Sequence, residues 1–198
     1  ARILADAAGD PDAFTRAVPA ALQKTPSVGA EIAQRLLKAG RVEEALAALM
    51  ASDPRAPKAK PLFGKAVSPT AADEDWESAY IEALERSGEG ERAQAARRAA
   101  FELTLSAQRL RDYVKGLHDF DDVVATDELL AFAHGHQDFT AALRLFMQWP
   151  SHSDAAKLIV ARRDDIDGSS PEILEWATRL ESRYPLAAVL LMRADALD

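Results

Sequence analysis

The feature that most constrains the fold of this chain is a set of turn signals recurring at a fixed distance. Gly40, Gly88, His136 and Tyr184 stand 48 residues apart. Eight and four positions before each stand Ile32/Leu36, Tyr80/Leu84, Glu128/Phe132 and Trp176/Leu180. Five positions after each stand Ala45, Ala93, Ala141 and Val189, and nine after stand Leu49, Arg97, Leu145 and Arg193. Most of these are apolar or small, as the inner faces of a repeated helical hairpin require. Glu128, Arg97 and Arg193 break the pattern. A period of this size predicts a solenoid of stacked hairpins.

The local patterns agree. Ile32, Ala33, Leu36 and Leu37 lie on one helical face, and Gly40 then stands where a left-handed C-cap is wanted. Val42, Ala45, Leu46 and Leu49 form the face of a second helix, closed by Pro54. Comparable pairs follow, giving units of about 27–54, 73–102, 121–150 and 170–197. Three further helices are expected: Pro11 to Gln23, Leu105 to Leu117 with Ser106 as N-cap, and Ser151 to Arg163. The stretch 54–72, with Pro54, Pro57, Pro61 and Pro69, is expected to be a flexible Pro/Lys-rich loop. Alanine accounts for 41 of 198 residues, which favours helices that approach closely. The expected fold is all-α: a tetratricopeptide-like α-α superhelix, a right-handed stack of hairpins with extra connecting helices. It is expected as one domain over 1–198, part of a longer protein.

The stretch AEIAQRLLKAGRVEEALAAL from Ala30 resembles a tetratricopeptide repeat, with its turn glycine followed five residues later by alanine. Pro54 and Pro150 arrive earlier than that consensus places its proline, and the period exceeds its 34 residues. On a larger scale, WESAYIEALERSGEGERAQAARRAAFELTLSAQRLRDYVKGLHDFDDV and RYPLAAVLLMRA are similar to an uncharacterised bacterial family carried as a domain of unknown function. That resemblance runs from about Ala30 onward. It implies relatives that continue on both sides and a Pro/Lys loop that is longer here. It implies no activity.

The chain has no cysteine, which excludes disulfides, thiolate zinc sites and a cysteine nucleophile. Apolar runs such as Leu186 to Met192 are too short to span a bilayer, and no leader pattern precedes them. A cytoplasmic protein without membrane contact is expected. The formal net charge of −8 makes nucleic acid an improbable partner.

Several clusters carry potential chemistry. His134 and His136, near Asp138 and His118, form an H-x-H pair that could bind metal; surface or capping roles are favoured, since the helix ends between them. Asp164, Asp165, Asp167 and Gly168 suggest a calcium loop, but Arg163 and Leu174 fall where acids are required. A polar turn is favoured there, with Ser169 or Ser170 capping the next helix. His118 to Asp122 carries an acidic cluster, extended by Asp127 and Glu128, that could bind a basic partner; the role of Asp121 and Asp122 at a helix N-terminus is favoured. Arg92, Arg97, Arg98, Arg109, Arg111 and Lys115 could form an anion patch, although the interleaved Glu89, Glu91, Glu102 and Asp112 favour ion pairs. Phe63 and Leu62, among Lys58, Lys60 and Lys65, could dock a partner, although a merely flexible loop, or Phe63 tucked onto the neighbouring helix, is favoured. No phosphate loop, no G-x-S-x-G and no H-E-x-x-H is present.

The expected function is therefore a non-catalytic protein- or peptide-binding scaffold, with no metal or cofactor and an open oligomeric state. The alternatives are an enzyme completed by missing segments, or a nucleic-acid or anion binder through the Arg-rich middle. The register places Gln34, Lys38, Ser78, Glu82, Arg86, Thr126 and His134 on the exposed side of the first helices, the expected partner-binding face. Tetratricopeptide domains that grip C-terminal carboxylates carry asparagine at the positions of Gln34 and Glu82, so the partner is not expected to be such a carboxylate.

Overall fold

The computed structural model describes residues 10–55, 71–118 and 120–196. These residues form eleven α-helices, two 3₁₀ turns and no strand, an all-α architecture. They fall into two compact units, residues 1–100 and 101–198, each with its own hydrophobic cluster.

The first unit opens with α1, Pro11–Ala17. Asp10 caps it by accepting the N–H groups of Asp12 and Ala13 at 2.9 and 3.1 Å. The single helix expected from Pro11 to Gln23 is interrupted. Pro19 pushes Val18 out of the helical region, to φ −97° and ψ 126°. The chain resumes as a 3₁₀ turn, Leu22–Lys24, held back onto α1 by Gln23 Nε2, which donates to Thr15 O and Val18 O.

Helix α2, Pro26–Lys38, starts with proline at its first position and buries Ile32, Ala33, Leu36 and Leu37. It ends at Gly40, φ +75°, with Gly40 N donating to Leu37 O and Arg41 N to Leu36 O. This pair of bonds is a Schellman cap. Helix α3, Val42–Ala51, then returns along α2 and buries Ala45 and Leu49. Helix α4, Ala71–Arg86, packs on both α2 and α3. Trp76 anchors it: its Nε1 donates to Leu49 O at 3.0 Å, and its ring stacks on Tyr80 at 5.0 Å. Gly88, φ +81°, repeats the cap of Gly40 bond for bond, to Glu85 O and Leu84 O. Helix α5, Gly90–Thr104, follows. Most of the predicted Pro/Lys-rich loop, including Leu62 and Phe63, lies outside the described residues.

The second unit takes in the end of α5 from Phe101, then α6, Ala107–Lys115; α7, Asp121–His134; α8, Phe139–Gln148; α9, His152–Ala161; α10, Ile173–Glu181; and α11, Pro185–Asp195. Ser106 caps α6 as predicted, accepting from Arg109 N. Its core gathers Phe101, Leu110, Leu129, Leu143, Phe146, Ile159, Trp176 and Leu191. Helix α7 packs on α6, α9 on α8 and α11, and α10 on α11. Neither Ser169 nor Ser170 caps α10, contrary to expectation. Ser170 O accepts from Ile173 N in a turn begun by Pro171, and Glu172 takes the N-cap position. Ser169 instead bonds Asp167.

Candidate functional site

Five of the predicted face residues lie in the first unit on two helices that pack together. Gln34 and Lys38 are on α2, and Ser78, Glu82 and Arg86 on α4. All five are exposed. The 48-residue offset pairs Gln34 with Glu82 and Lys38 with Arg86, while the apolar residues at Ile32/Leu36 and Tyr80/Leu84 are buried beneath. The exposure of Gln34/Glu82 and Lys38/Arg86 therefore follows from one burial register used twice. Glu82 and Arg86 are paired along α4 at 3.2 Å, and Ser78 Oγ donates to Glu74 O.

The two remaining face residues, in the second unit, are half-buried rather than open. Thr126 Oγ1 donates back to Asp122 O at 2.7 Å, a bond that takes up the hydroxyl's one hydrogen and leaves it only as an acceptor. The His134 ring packs on Phe146 at 4.6 Å, and its Nε2 lies 3.5 Å from Asp154 Oδ1. Sequence reading had no means of placing Asp154 there, because it arrives on α9 through the packing of α9 on α8.

The H-x-H pair does not converge. His134 turns to Asp154, whereas His136 Nδ1 accepts from the backbone N–H of Asp138. Among the described residues, no group of three or more His, Asp or Glu could hold a metal ion. Asp154 is the hub of a small polar network. Burial pushes its carboxyl up, but hydrogen bonds from Ser151, Lys157 and His134 outweigh that and hold it below the ordinary carboxylate value.

The arginines of the middle are engaged locally. Arg92 pairs with Glu89 and reaches Tyr80 Oη, and Arg97 pairs with Glu85 and Gln94, all within the first unit. In the second unit Arg111 donates to Gln148 O and lies over the Trp149 ring. The acidic turn is similarly self-contained: Asp165 pairs with Arg162, whose guanidinium also donates to His136 O.

The sequence reading missed a cleft of about 410 Å³ in the first unit. Ile32, Leu36 and Ala48 form its apolar wall, and Lys24, Asp12 and Glu44 lie along its edge. Arg41 bridges Asp12 and Glu44 at 2.8 and 2.6 Å, and its hydrogen bond holds the Glu44 carboxyl below the ordinary range. Ala20, Gln23 and Lys24, which follow the break at Pro19, line it on one side, so that break was a local signal pointing to it. Its carboxylates are already satisfied by Arg41, so they are poorly placed for acid–base work.

A family model described as a family of unknown function, DUF6880, matches residues 1–196. The match extends the resemblance read from about Ala30 back over the N-terminal stretch. No curated protein and no solved structure matches the chain.

Proposed function

The chain belongs to the family of unknown function DUF6880, and we propose that it is a non-catalytic protein- or peptide-binding scaffold built as a tetratricopeptide-like superhelix. The observation that carries this reading is the exposed row Gln34, Lys38, Ser78, Glu82 and Arg86 on the packed pair α2 and α4, in which Gln34/Glu82 and Lys38/Arg86 repeat in register. Two features support the repeat. The turns at Gly40 and Gly88 carry the same Schellman cap 48 residues apart. The turn at Gly40 also joins α2 to α3, and both pack on α4, the first helix of the next hairpin, as stacked hairpins do. In such arrays the first helices line the binding surface. Apart from Ser78 the side chains here are long, and all are polar with both charges among them, which suits recognition of an extended peptide or protein surface and not of a small apolar ligand.

The test is a binding comparison between the full chain and a variant carrying Lys38→Glu, Glu82→Lys and Arg86→Glu. All three positions are exposed, so the variant is expected to fold and to melt with the wild type. A partner captured from host lysate and identified by mass spectrometry should be retained by the wild type and lost by the variant. Equal retention by both overturns the proposed face.

A further inference from the structure

We propose that the outer face of α7 docks a basic amphipathic segment of a partner protein. Helix α7 buries only a narrow seam, Ala125, Leu129 and Ala133. Helical spacing puts further apolar residues outside that seam, and they are exposed: Val123 at 59 %, Val124 at 60 % and Phe132 at 41 %. A surface helix normally carries charge at such positions. Phe120 extends the patch from the N-cap position. It is 85 % exposed and held at φ 62°, a left-handed conformation that a phenylalanine adopts only under strain. About two and a half turns apart, Val123 and Phe132 stand on opposite flanks of α7, so the surface offered to one partner is the row of Phe120, Val124 and Phe132, with Glu128 between the last two; exposed apolar side chains in such a row mark an interaction surface.

The charge around the patch selects the occupant. Asp121, Asp127 and Glu128 are exposed on the same helix, and between Phe120 and Ala133 the sequence has no lysine or arginine. A partner that covers Val124 and Phe132 with apolar side chains meets only anionic neighbours on α7. Lysine or arginine beside those side chains supplies the matching charge, the pattern of a basic amphipathic helix laid on an apolar surface. A second copy of this face would bring like charges together, in a chain of formal net charge −8. The assignment concerns a different helix from the α2/α4 row and does not depend on it.

The probes are a synthetic amphipathic peptide of leucine and lysine and its leucine/glutamate counterpart, titrated into the full isotope-labelled chain at low salt. The leucine/lysine peptide is expected to bind and to shift amide resonances along α7. Its affinity should fall by about tenfold or more in Phe120→Asn/Val124→Gln, where asparagine tolerates the left-handed backbone. Asp127→Lys/Glu128→Lys should reverse the preference toward the leucine/glutamate peptide. Lys38→Glu/Glu82→Lys/Arg86→Glu should leave both titrations unchanged, which separates this surface from the α2/α4 row. Equal binding of both peptides, shifts confined to other helices, or a sedimenting dimer abolished by Phe120→Asn/Val124→Gln would each overturn the proposal.

Discussion

Gly29 stands on α2 where that helix meets the end of α3, and the crossing leaves no room for a side chain. A Cβ there would lie 1.8 Å from Ser52 Oγ and 2.5 Å from Ser52 Cβ. Ser52 cannot easily retreat: it is buried, its Oγ donates to Ala48 O, and it faces Trp76 Nε1 at 3.2 Å. Alanine is intrinsically better than glycine inside a helix by up to about 1 kcal/mol. Gly29→Ala is nevertheless expected to destabilise the chain by about 1–3 kcal/mol, because the clash forces a shift of packed groups. Urea denaturation measures this directly. The double variant Gly29→Ala/Ser52→Gly should regain much of the loss, since Trp76 Nε1 keeps its bond to Leu49 O. No recovery would mean that the contact with Ser52 is not what excludes the methyl group.

At the scale of elements, turns at equal spacing are built from different chemistry. Gly40 and Gly88 have positive φ and Schellman bonds, so a Cβ there is strained even though it meets open space. Gly135 has φ −88°, and a Cβ would stand 3.7 Å from Phe132 O, an ordinary contact. Gly88→Ala is expected to cost about 1 kcal/mol, whereas Gly135→Ala should be neutral or slightly stabilising. Paired urea titrations test the contrast; equal costs would refute it. The same comparison explains what was legible in the sequence. Helix faces such as Ile32, Leu36 and Leu37 were readable because burial follows a local period. The caps at Gly40 and Gly88 were readable because only glycine suits that backbone. The break at Pro19 was locally encoded and overlooked. The start of α10 was not locally encoded: Arg144, 28 residues away, holds Glu172 at 2.9 and 3.0 Å and competes with any capping role for its carboxylate. His134 was misread as open for the same kind of reason, since Asp154 comes from another helix.

Asp154 also gives the element scale a pH signature. Its pKa is lowered in the folded chain, so its contacts stabilise the fold above its unfolded value, near 3.8, and that contribution is lost as pH falls below it through the depressed folded value. Asp154→Asn removes the charge that Ser151, Lys157 and His134 share. The variant should be less stable than the wild type at pH 7, by about 1 kcal/mol after allowance for partial exposure. The gap should narrow steadily as pH drops below 3.8. A gap independent of pH between 7 and 2 would show that the network stabilises by shape and not by charge.

Over the whole molecule, the distribution of charge argues against a nucleic-acid partner. The formal net charge is −8, and the arginines of the middle do not offer a free cationic surface: Arg92 and Arg97 face Glu89 and Glu85, and Arg111 is spent on Gln148 O and the Trp149 ring. Binding a phosphate backbone would require breaking those pairs while bringing an acidic molecule against a polyanion. Lowering the salt should not help, because at about 0.01 M the Debye length reaches about 30 Å and the repulsion of the whole chain is felt. Basic domains bind duplex DNA without sequence preference at Kd of about 10⁻⁴ to 10⁻⁶ M, and tighter as salt falls. The full chain, titrated over that range against a fluorescent duplex at low salt, is expected to leave its anisotropy unchanged. Salt-sensitive binding that disappears in Arg97→Glu/Arg98→Glu/Arg109→Glu/Arg111→Glu would reverse this conclusion, because it would mean that the ion pairs open readily enough for phosphate to replace the glutamates.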